Sequence, residues 1–211
     1  QIAVMGLGLK AGDEVITADF TFAATVEVIS LLGLAPVLVD VDPKTFNIDL
    51  PSIEKVIGPK TKAIIPVHLF GQAADMEEIL ALANKHNLYV VEDNAQSIGA
   101  NYTFSDGSKK KTGTLGHIGT TSFFPSKNLG AYGDGGAIFT NDYELAHTIR
   151  GMVNHGMYIR YQHDVVGVNS RLDSIQAAIL DIKLNYLDFY NESRKASALK
   201  YNQRLTDHPN L

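Results

Sequence analysis

The residues best suited to chemistry lie in one stretch with a single lysine. Ser122 and two aromatic residues end a short β-like run, Lys127 follows, and a loop with four glycines comes next. A lysine beside hydroxyls, aromatic rings and tightly approaching backbone is suited to partial desolvation, and glycines permit that approach. A desolvated amine attacks carbonyl carbons and forms Schiff bases. A solvated loop lysine is the alternative, and these residues alone leave both interpretations open.

A second group of candidates surrounds a carboxylate at the end of an apolar run. Asp93 ends this run, and a buried unpaired carboxylate is costly. Asp93 therefore caps a helix, forms a structural ion pair, or keeps a pyridine nitrogen protonated so that the ring can accept electrons. Gln96 can bind a ring hydroxyl, Ser122 can hold a phosphate, and Phe22 can stack on a flat ring or belong to the core. Together with Lys127 they fit pyridoxal 5'-phosphate (PLP) chemistry.

The strands that must position these residues are continuous apolar runs. Such runs are typical of strands buried on both faces, and helical patterns separate them, so we predict an α/β fold with a mostly parallel sheet and helices on both faces. Ligands of such sheets lie beyond the carboxyl ends of the strands, where Asp93 and Ser122 fall. The predicted strands are Glu14–Thr17, Pro36–Val41, Lys62–His68, Leu88–Asp93 and Gly135–Thr140.

Capping signals predict where the helices begin and end. The pattern predicts a helix from Phe20 to a stop at Gly33, and caps at Asp75 and Asn141 with a glutamate three residues later. A long helix is predicted to start at Arg171, with an apolar stripe at Leu172, Ile175, Ile179 and Ile182. The run Lys109–Lys111 is predicted to be a solvated loop.

Composition narrows the class of protein. The 211 residues are 45% apolar, which indicates a globular chain, and the net charge of -5 argues against nucleic-acid binding. There is no cysteine, so disulfides and thiolate metal sites are excluded; we expect no metal. Without a membrane-spanning apolar run or a secretory signal in this sequence, we expect a cytoplasmic protein with no membrane partner.

Five segments together resemble one family. The segments are Phe20–Thr25, Ile65–Gln72, Glu92–Gln96, Ser122–Gly130 and Gly167–Asp173. They resemble the DegT/StrS family of PLP-dependent nucleotide-sugar aminotransferases. The resemblance implies the large domain of the fold-type-I PLP-dependent transferases, and a homodimer with shared active sites. It also implies amination of a keto nucleotide sugar, with glutamate as donor and 2-oxoglutarate as product.

The resemblance also implies roles for individual residues. Lys127 would bond to the cofactor aldehyde and move the proton, and Asp93 would pair with the ring nitrogen. The other implied cofactor contacts are Gln96 on the ring oxygen, Phe22 on the ring face, Ser122 on the phosphate, and Asn169 on the phosphate of the neighbouring subunit.

Within the family, Thr121–Asp142 is most similar to enzymes that aminate C3 of a UDP-linked 3-keto uronic acid for surface polysaccharide. The loop Tyr132–Gly136 should lie near the site. Arg160 and His163 either meet an anionic substrate or are surface residues. Residues 1–211 are predicted to form the PLP-binding large domain, with an N-terminal phosphate-binding segment and a C-terminal small domain outside the sequence.

Alternative functions make different demands on the sequence. A dTDP-keto-deoxysugar aminotransferase would use the same residues. A sugar dehydratase of the family would carry histidine in place of Lys127. A nucleotide-binding module needs Gly-x-Gly-x-x-Gly after the first strand, but Gly6-Leu7-Gly8 precedes that strand and lacks the rest. A regulatory member without catalysis would not need Lys127, Asp93 and Gln96.

Overall fold

A six-stranded sheet with strand order β2-β1-β3-β4-β7-β8 lies at the centre of the computed structural model, which describes residues 1–206 and 208. Five strands run parallel, and β8 pairs antiparallel with β7 at one edge. The predicted mostly parallel α/β sheet is therefore confirmed. The six strands are β1 (Glu14–Ala18), β2 (Ala35–Val39), β3 (Thr61–Ile65), β4 (Tyr89–Asp93), β7 (Ile118–Ser122) and β8 (Gly136–Phe139).

Two short antiparallel ribbons lie outside the sheet. One joins β5 (Asn101–Thr103) to β6 (Lys109–Lys111), and the other joins β9 (Met157–Ile159) to β10 (Gln162–His163). The prediction of a loop at 109–111 was wrong, because these lysines pair with β5; all three are solvent-exposed, as expected.

The helices cover both faces of the sheet. They are α1 (Ile2–Gly6), α2 (Ala23–Leu31), α3 (Leu50–Val56), α4 (Met76–His86), α5 (Tyr143–Met152), α6 (Ser174–Leu184) and α7 (Leu187–Leu205). In β1, Val15 packs in the layer with α1, α2 and α5, whereas Ile16 packs in the layer with α3 and α4. Val91 and Val90 of β4 divide in the same way. Because alternate residues enter two cores, apolar residues follow one another in the middle of these strands, and each large buried apolar side chain contributes about 1.5–3 kcal/mol.

Helix α2 begins three residues later than predicted. Its N-cap is Phe22, whose extended backbone (φ -70°, ψ 140°) leaves the ring outside the helix and 71% exposed. The predicted stop at Gly33 agrees with the structure, since φ is +72° there and glycine adopts this conformation without strain. Because α2 starts late, the Phe22 ring lies in the connection after the carboxyl end of β1.

Two other helix starts and one helix cap also differ from the predictions. Asp142 rather than Asn141 caps α5, with its carboxylate accepting from the Leu145 N–H at 3.0 Å. Helix α4 begins directly after Asp75, as predicted, but the Asp75 side chain forms no hydrogen bond to the helix; its carboxylate accepts from the Tyr102 hydroxyl at 2.7 Å instead. Helix α6 begins at Ser174 instead of Arg171, since the backbone is still extended at residue 173.

The last two helices pack on the segment that contains the lysine. Leu180 of α6 and Leu187 of α7 form a third buried cluster with Phe123, Leu129 and Ala131. This cluster encloses both ends of the loop that carries Lys127. The two helices therefore position that loop against the sheet.

Part of the predicted stripe on α6 is uncovered in this chain. Ile175 and Ile182 are 72% and 64% exposed, so they do not pack against the rest of the described chain. The longest helix, α7, is mostly polar on its surface. Within residues 1–206 and 208, no helix combines the length and the apolarity needed to cross a bilayer.

Candidate active site

The candidate residues gather where neighbouring parallel strands end. Asp93 is the last residue of β4 and pairs in register with Thr120 of β7, so Ser122 lies two residues further along the adjacent strand. The backbone of Asp93 also pairs with the segment after β3: its N–H donates to the Pro66 oxygen at 2.9 Å, and its oxygen accepts from the His68 N–H at 3.0 Å. The backbone of Asp93 is therefore held to the segment after β3 by two hydrogen bonds, and the next residue, Asn94, donates its N–H to the Thr120 oxygen of β7 at 2.8 Å.

The carboxylate of Asp93 is oriented by one hydrogen bond on each oxygen. Oδ2 accepts from the Thr25 hydroxyl at 2.6 Å, and Oδ1 accepts from the Ala95 N–H at 3.1 Å. In the part of the chain that the structure describes, no lysine, arginine or histidine side chain forms an ion pair with it, and it caps no helix. The described residues therefore give no support to the structural-ion-pair or helix-cap interpretation of Asp93, and the half-buried carboxylate keeps acceptor capacity for a cation.

The residue before Asp93 is a fully buried carboxylate. Glu92 accepts from the His68 Nε2 at 2.8 Å and from the N–H groups of Gly113 (2.7 Å), Leu115 (2.6 Å) and Gly116 (2.6 Å). Because the Nδ1 of His68 accepts from the Ala74 N–H at 3.1 Å, its Nε2 carries the hydrogen that Glu92 accepts. Burial raises the pKa of Glu92, but the hydrogen bonds from His68, Gly116 and Gly113 outweigh burial and leave the pKa below its usual value.

Gln96 and Lys127 line one groove of about 870 Å³, together with Phe70. The Oε1 of Gln96 accepts from the Phe70 N–H at 2.7 Å, which leaves the side-chain NH₂ group to donate elsewhere. Phe70 has a left-handed backbone (φ +55°) that a bulky residue rarely adopts, and its ring is 73% exposed. A strained turn therefore fixes the orientation of the Gln96 amide.

Several contacts hold the Lys127 loop in place. The Lys127 N–H donates to the Phe124 oxygen at 2.9 Å, and the Asn128 amide donates to Asn191 of α7 at 2.5 Å. Lys183 of α6 donates to the Gly130 oxygen. A Cβ at Gly130 would lie 2.3 Å from the Pro125 oxygen, so this close approach requires glycine. The loop is thus anchored on both sides of Lys127.

Phe22 and Ser122 lie at the same carboxyl edge. The Phe22 oxygen accepts from the Thr25 N–H at 3.2 Å, so the exposed ring and the residue that binds Asp93 share the first turn of α2. The Oγ of Ser122 accepts from the Phe124 N–H at 3.2 Å, which leaves its hydroxyl hydrogen free to donate. The alternative that Phe22 belongs to the core is therefore wrong, and Ser122 does not belong to the core either.

Asn169 lies apart from Lys127. It lines a second groove, of about 960 Å³, with Thr120, Thr121 and Gly136, and its Oδ1 accepts from the Arg171 Nε at 2.7 Å. Asn169 is solvent-exposed, and it does not line the groove that contains Lys127. A role toward the cofactor of a neighbouring subunit stays a prediction.

The other predicted site segments lie on the surface. Tyr132 is exposed and its N–H donates to the Gln176 Oε1 at 2.8 Å, which ties the 132–136 loop to α6. Arg160 stacks on its neighbour Tyr161, 4.9 Å from the ring centroid, and donates to the phenol oxygen at 3.1 Å. His163 bonds to the His155 oxygen at 2.9 Å. Arg160 and His163 are exposed, in keeping with the surface alternative.

Sequence reasoning missed the partners that orient the site. Thr25 is 68 residues from Asp93, His68 is 24 residues from Glu92, and Asn191 is 63 residues from Asn128. Each pair joins different elements, so no local spacing signals the contact. The only clue was the polar Thr25 on the inward side of α2, next to apolar Ile29 one turn later.

The geometry agrees with the comparison to known families. The sequence model of the DegT/DnrJ/EryC1/StrS aminotransferase family matches residues 1–211. The chain belongs to this family. Members of this DegT family depend on PLP and have the fold-type-I aminotransferase fold, which matches the sheet and helices described above.

Two curated DegT-family relatives illustrate the range of assigned roles. The chain is 53% identical over 207 residues to a "pleiotropic regulatory protein" of Geobacillus stearothermophilus, covering 98% of this chain and 54% of the relative. It is 52% identical over 205 residues to the UDP-2-acetamido-2-deoxy-3-oxo-D-glucuronate aminotransferase of Pseudomonas aeruginosa, covering 97% and 56%. The chain thus spans about half the length of the curated relatives it matches.

A solved structure of the family adds the cofactor. NtdA of Bacillus subtilis, solved with bound cofactor PMP, superposes with a TM-score of 0.89 at 37% identity. The match covers 99% of this chain and 47% of that chain. The present residues fit such a group, because the Asp93 carboxylate is oriented and pairs with no lysine, arginine or histidine side chain of the described residues, while Gln96 and Lys127 share one groove.

Proposed function

We propose that this chain is the PLP-binding part of a nucleotide-sugar aminotransferase that transfers the amino group of glutamate to a keto nucleotide sugar. The observation that carries the proposal is the groove that Gln96 and Lys127 share, with the oriented carboxylate of Asp93 three residues before Gln96 at the end of β4. This combination provides an amine, an oriented amide and an anion at one edge of a parallel sheet, where ligands of such folds bind.

The residues have separate roles in this proposal. When bound, PLP supplies an electrophilic carbon and an electron sink. Lys127 would hold the cofactor through its Nζ, and the same amine would act as the acid and base that moves a proton at the substrate carbon. The Asp93 carboxylate keeps the ring nitrogen protonated. The Gln96 amide donates to the ring oxygen, since its own oxygen is already occupied by Phe70.

The remaining residues bind and orient. The exposed ring of Phe22 stacks on the cofactor face, and the free hydroxyl hydrogen of Ser122 donates to a phosphate oxygen. Asn169, which faces a different groove from Lys127, reaches the cofactor phosphate of a second subunit. The functional unit is accordingly a homodimer with shared sites, and a fully active monomer on a sizing column would contradict it.

The favoured substrate is a UDP-linked 3-keto sugar that is aminated at C3 for surface polysaccharide. The P. aeruginosa relative, named for a UDP-linked 3-oxo sugar acid, supports this choice. A dTDP-keto-deoxysugar is the second candidate. A regulatory role without catalysis is the third, and the Geobacillus relative's name supports it. Assays of the full-length protein with glutamate and a panel of UDP- and dTDP-keto sugars separate the three.

The test of the cofactor assignment is spectroscopic. Full-length protein mixed with PLP should show an absorbance band near the visible edge that borohydride removes. Peptide mass spectrometry after reduction should find the modification on Lys127, and glutamate should discharge the band without borohydride. A reduced adduct on another lysine, or no band at saturating PLP, would contradict the proposal.

Asp93→Ala should reduce transamination by about 100- to 1,000-fold, because an oriented charge opposite the reacting ring is lost. We expect the yield of folded protein to fall much less, since the carboxylate is half-buried and only two hydrogen bonds end on it. Steady-state kinetics and thermal unfolding measure the two effects. Asp19→Ala is the matched control, because the exposed Asp19 directly follows β1, another strand of the same sheet. An Asp93→Ala enzyme of normal activity refutes the assigned role.

A further inference from the structure

Thr25 is a buried hydroxyl that neither the sequence motifs nor the comparisons assign a task. It lies in α2, is 5% exposed, and donates to the Oδ2 of Asp93 at 2.6 Å. A donor to an ionised carboxylate at this distance forms a charge-assisted bond, roughly twice as strong as a neutral one. We propose that Thr25 is the positioning residue of Asp93, an inference that rests on the proposed PLP site.

Two hydrogen bonds fix the orientation of the Asp93 carboxylate. An ionised carboxylate has about four lone-pair sites on its two oxygens. Thr25 takes one site on Oδ2 and the Ala95 N–H takes one on Oδ1, so rotation about the side-chain torsions would break a bond at one oxygen or the other. One site on each oxygen stays open for the ring nitrogen, in a direction that Thr25 and Ala95 determine.

Thr25 also connects the orientation of the Asp93 carboxylate to the position of Phe22, the residue proposed to stack on the cofactor ring. Its N–H donates to the Phe22 oxygen at 3.2 Å, so the stacking ring and the carboxylate contact both start from the first turn of α2. Burial keeps water from replacing the Thr25 hydroxyl as donor. The helix start therefore sets the position of the ring-face contact relative to the ring-nitrogen contact.

The test compares variants of the full-length protein with and without PLP. Thr25→Val keeps the shape and removes the hydroxyl, whereas Thr25→Ser keeps the hydroxyl and removes the methyl group. We expect Thr25→Val to weaken PLP binding and to lower kcat about 10- to 100-fold, the range for a hydrogen bond to a charged group. Thr25→Ser should stay within about threefold of the wild type. The pH dependence of the absorbance of bound PLP should shift in Thr25→Val and not in Thr25→Ser.

The matched control is Thr17→Val. Thr17 is another fully buried threonine, whose hydroxyl donates to the Ile65 backbone oxygen at 2.9 Å and not to Asp93. The Thr17→Val protein should be less stable than the wild type, with no change in its PLP affinity or in the absorbance of bound PLP. If Thr25→Val does not fold, the pair Thr25→Ser and Thr25→Ala replaces it, because only serine retains the donor.

The outcomes separate the two proposals. If the wild type binds PLP and Thr25→Val equals it in affinity, kcat and spectrum, the positioning role is wrong while the PLP site stands. Equal losses in the valine and serine variants also overturn it, since they assign the effect to packing. If the wild type binds no PLP, the proposed function fails and the role of Thr25 fails with it.

Discussion

Lys127→Ala in the full-length enzyme should lose at least about 10,000-fold in transamination while the protein still folds and binds PLP non-covalently. The loss is large because one amine both bonds to the cofactor and moves the proton. Stability should change little. Within residues 1–206 and 208, the Lys127 ammonium forms no ion pair, and the loop is held by backbone and neighbouring side chains instead.

The measurement couples 2-oxoglutarate release to a dehydrogenase and records the absorbance spectrum of the same sample. The variant should show the spectrum of the free PLP aldehyde, and borohydride should attach nothing to it. Lys62→Ala is the control. Lys62 is a half-buried lysine near the amino end of β3, and its Nζ donates to the Pro59 oxygen. Activity of Lys127→Ala above about 1% of wild type would mean that another group performs the proton transfer.

The sheet was predictable from sequence because its cause is local. The central strands are buried on both faces, so their apolar residues are consecutive, as in Val15 and Ile16, which enter different cores. The edge that collects Asp93 and Ser122 then follows from the parallel arrangement alone. Exposure of Lys109–Lys111 was predictable too, although their pairing with β5 was not.

The helix starts and the supporting contacts were not predictable, because tertiary partners decide them. Asp75 has the local sequence of a cap, but its carboxylate accepts a hydrogen bond from the Tyr102 hydroxyl, 27 residues away, instead of from the helix. At α5, two adjacent cap residues compete, and Asp142 rather than Asn141 bonds to the helix. Thr25 and His68 carry no motif of their own. Their roles depend on which carboxylate the fold places opposite them.

Glu92→Ala should destabilise the protein by about 3–5 kcal/mol, out of a typical total of about 5–15 kcal/mol. The carboxylate accepts four hydrogen bonds in a fully buried site, and its removal leaves the His68 Nε2–H and three backbone N–H groups without an acceptor. Glu92→Gln should lose much of the same free energy, because its NH₂ group would face other donors. Urea unfolding at pH 7 measures both variants.

The pH dependence has a definite sign. The pKa of Glu92 is lower in the folded than in the unfolded protein, so its contribution to stability is fully present above the unfolded pKa. The contribution disappears as the pH falls through the folded pKa, and the gap between wild type and Glu92→Gln should therefore narrow under acid. Glu78→Ala, an exposed glutamate on α4, should shift stability by no more than about 0.5 kcal/mol. A gap that stays constant into acid would contradict an ionised Glu92.

Adjacent acids on one strand should thus give opposite phenotypes. Asp93 faces the Thr25 side and keeps acceptor capacity for a ligand, whereas Glu92 faces His68 and the Gly113–Gly116 backbone, with every bond already used inside the protein. Glu92→Ala should lower stability, yet the fraction that remains folded at low temperature should still bind PLP. Asp93→Ala should retain stability and lose catalysis. If both variants lose PLP binding and stability together, the division of roles along β4 is wrong and the two carboxylates act as one structural unit.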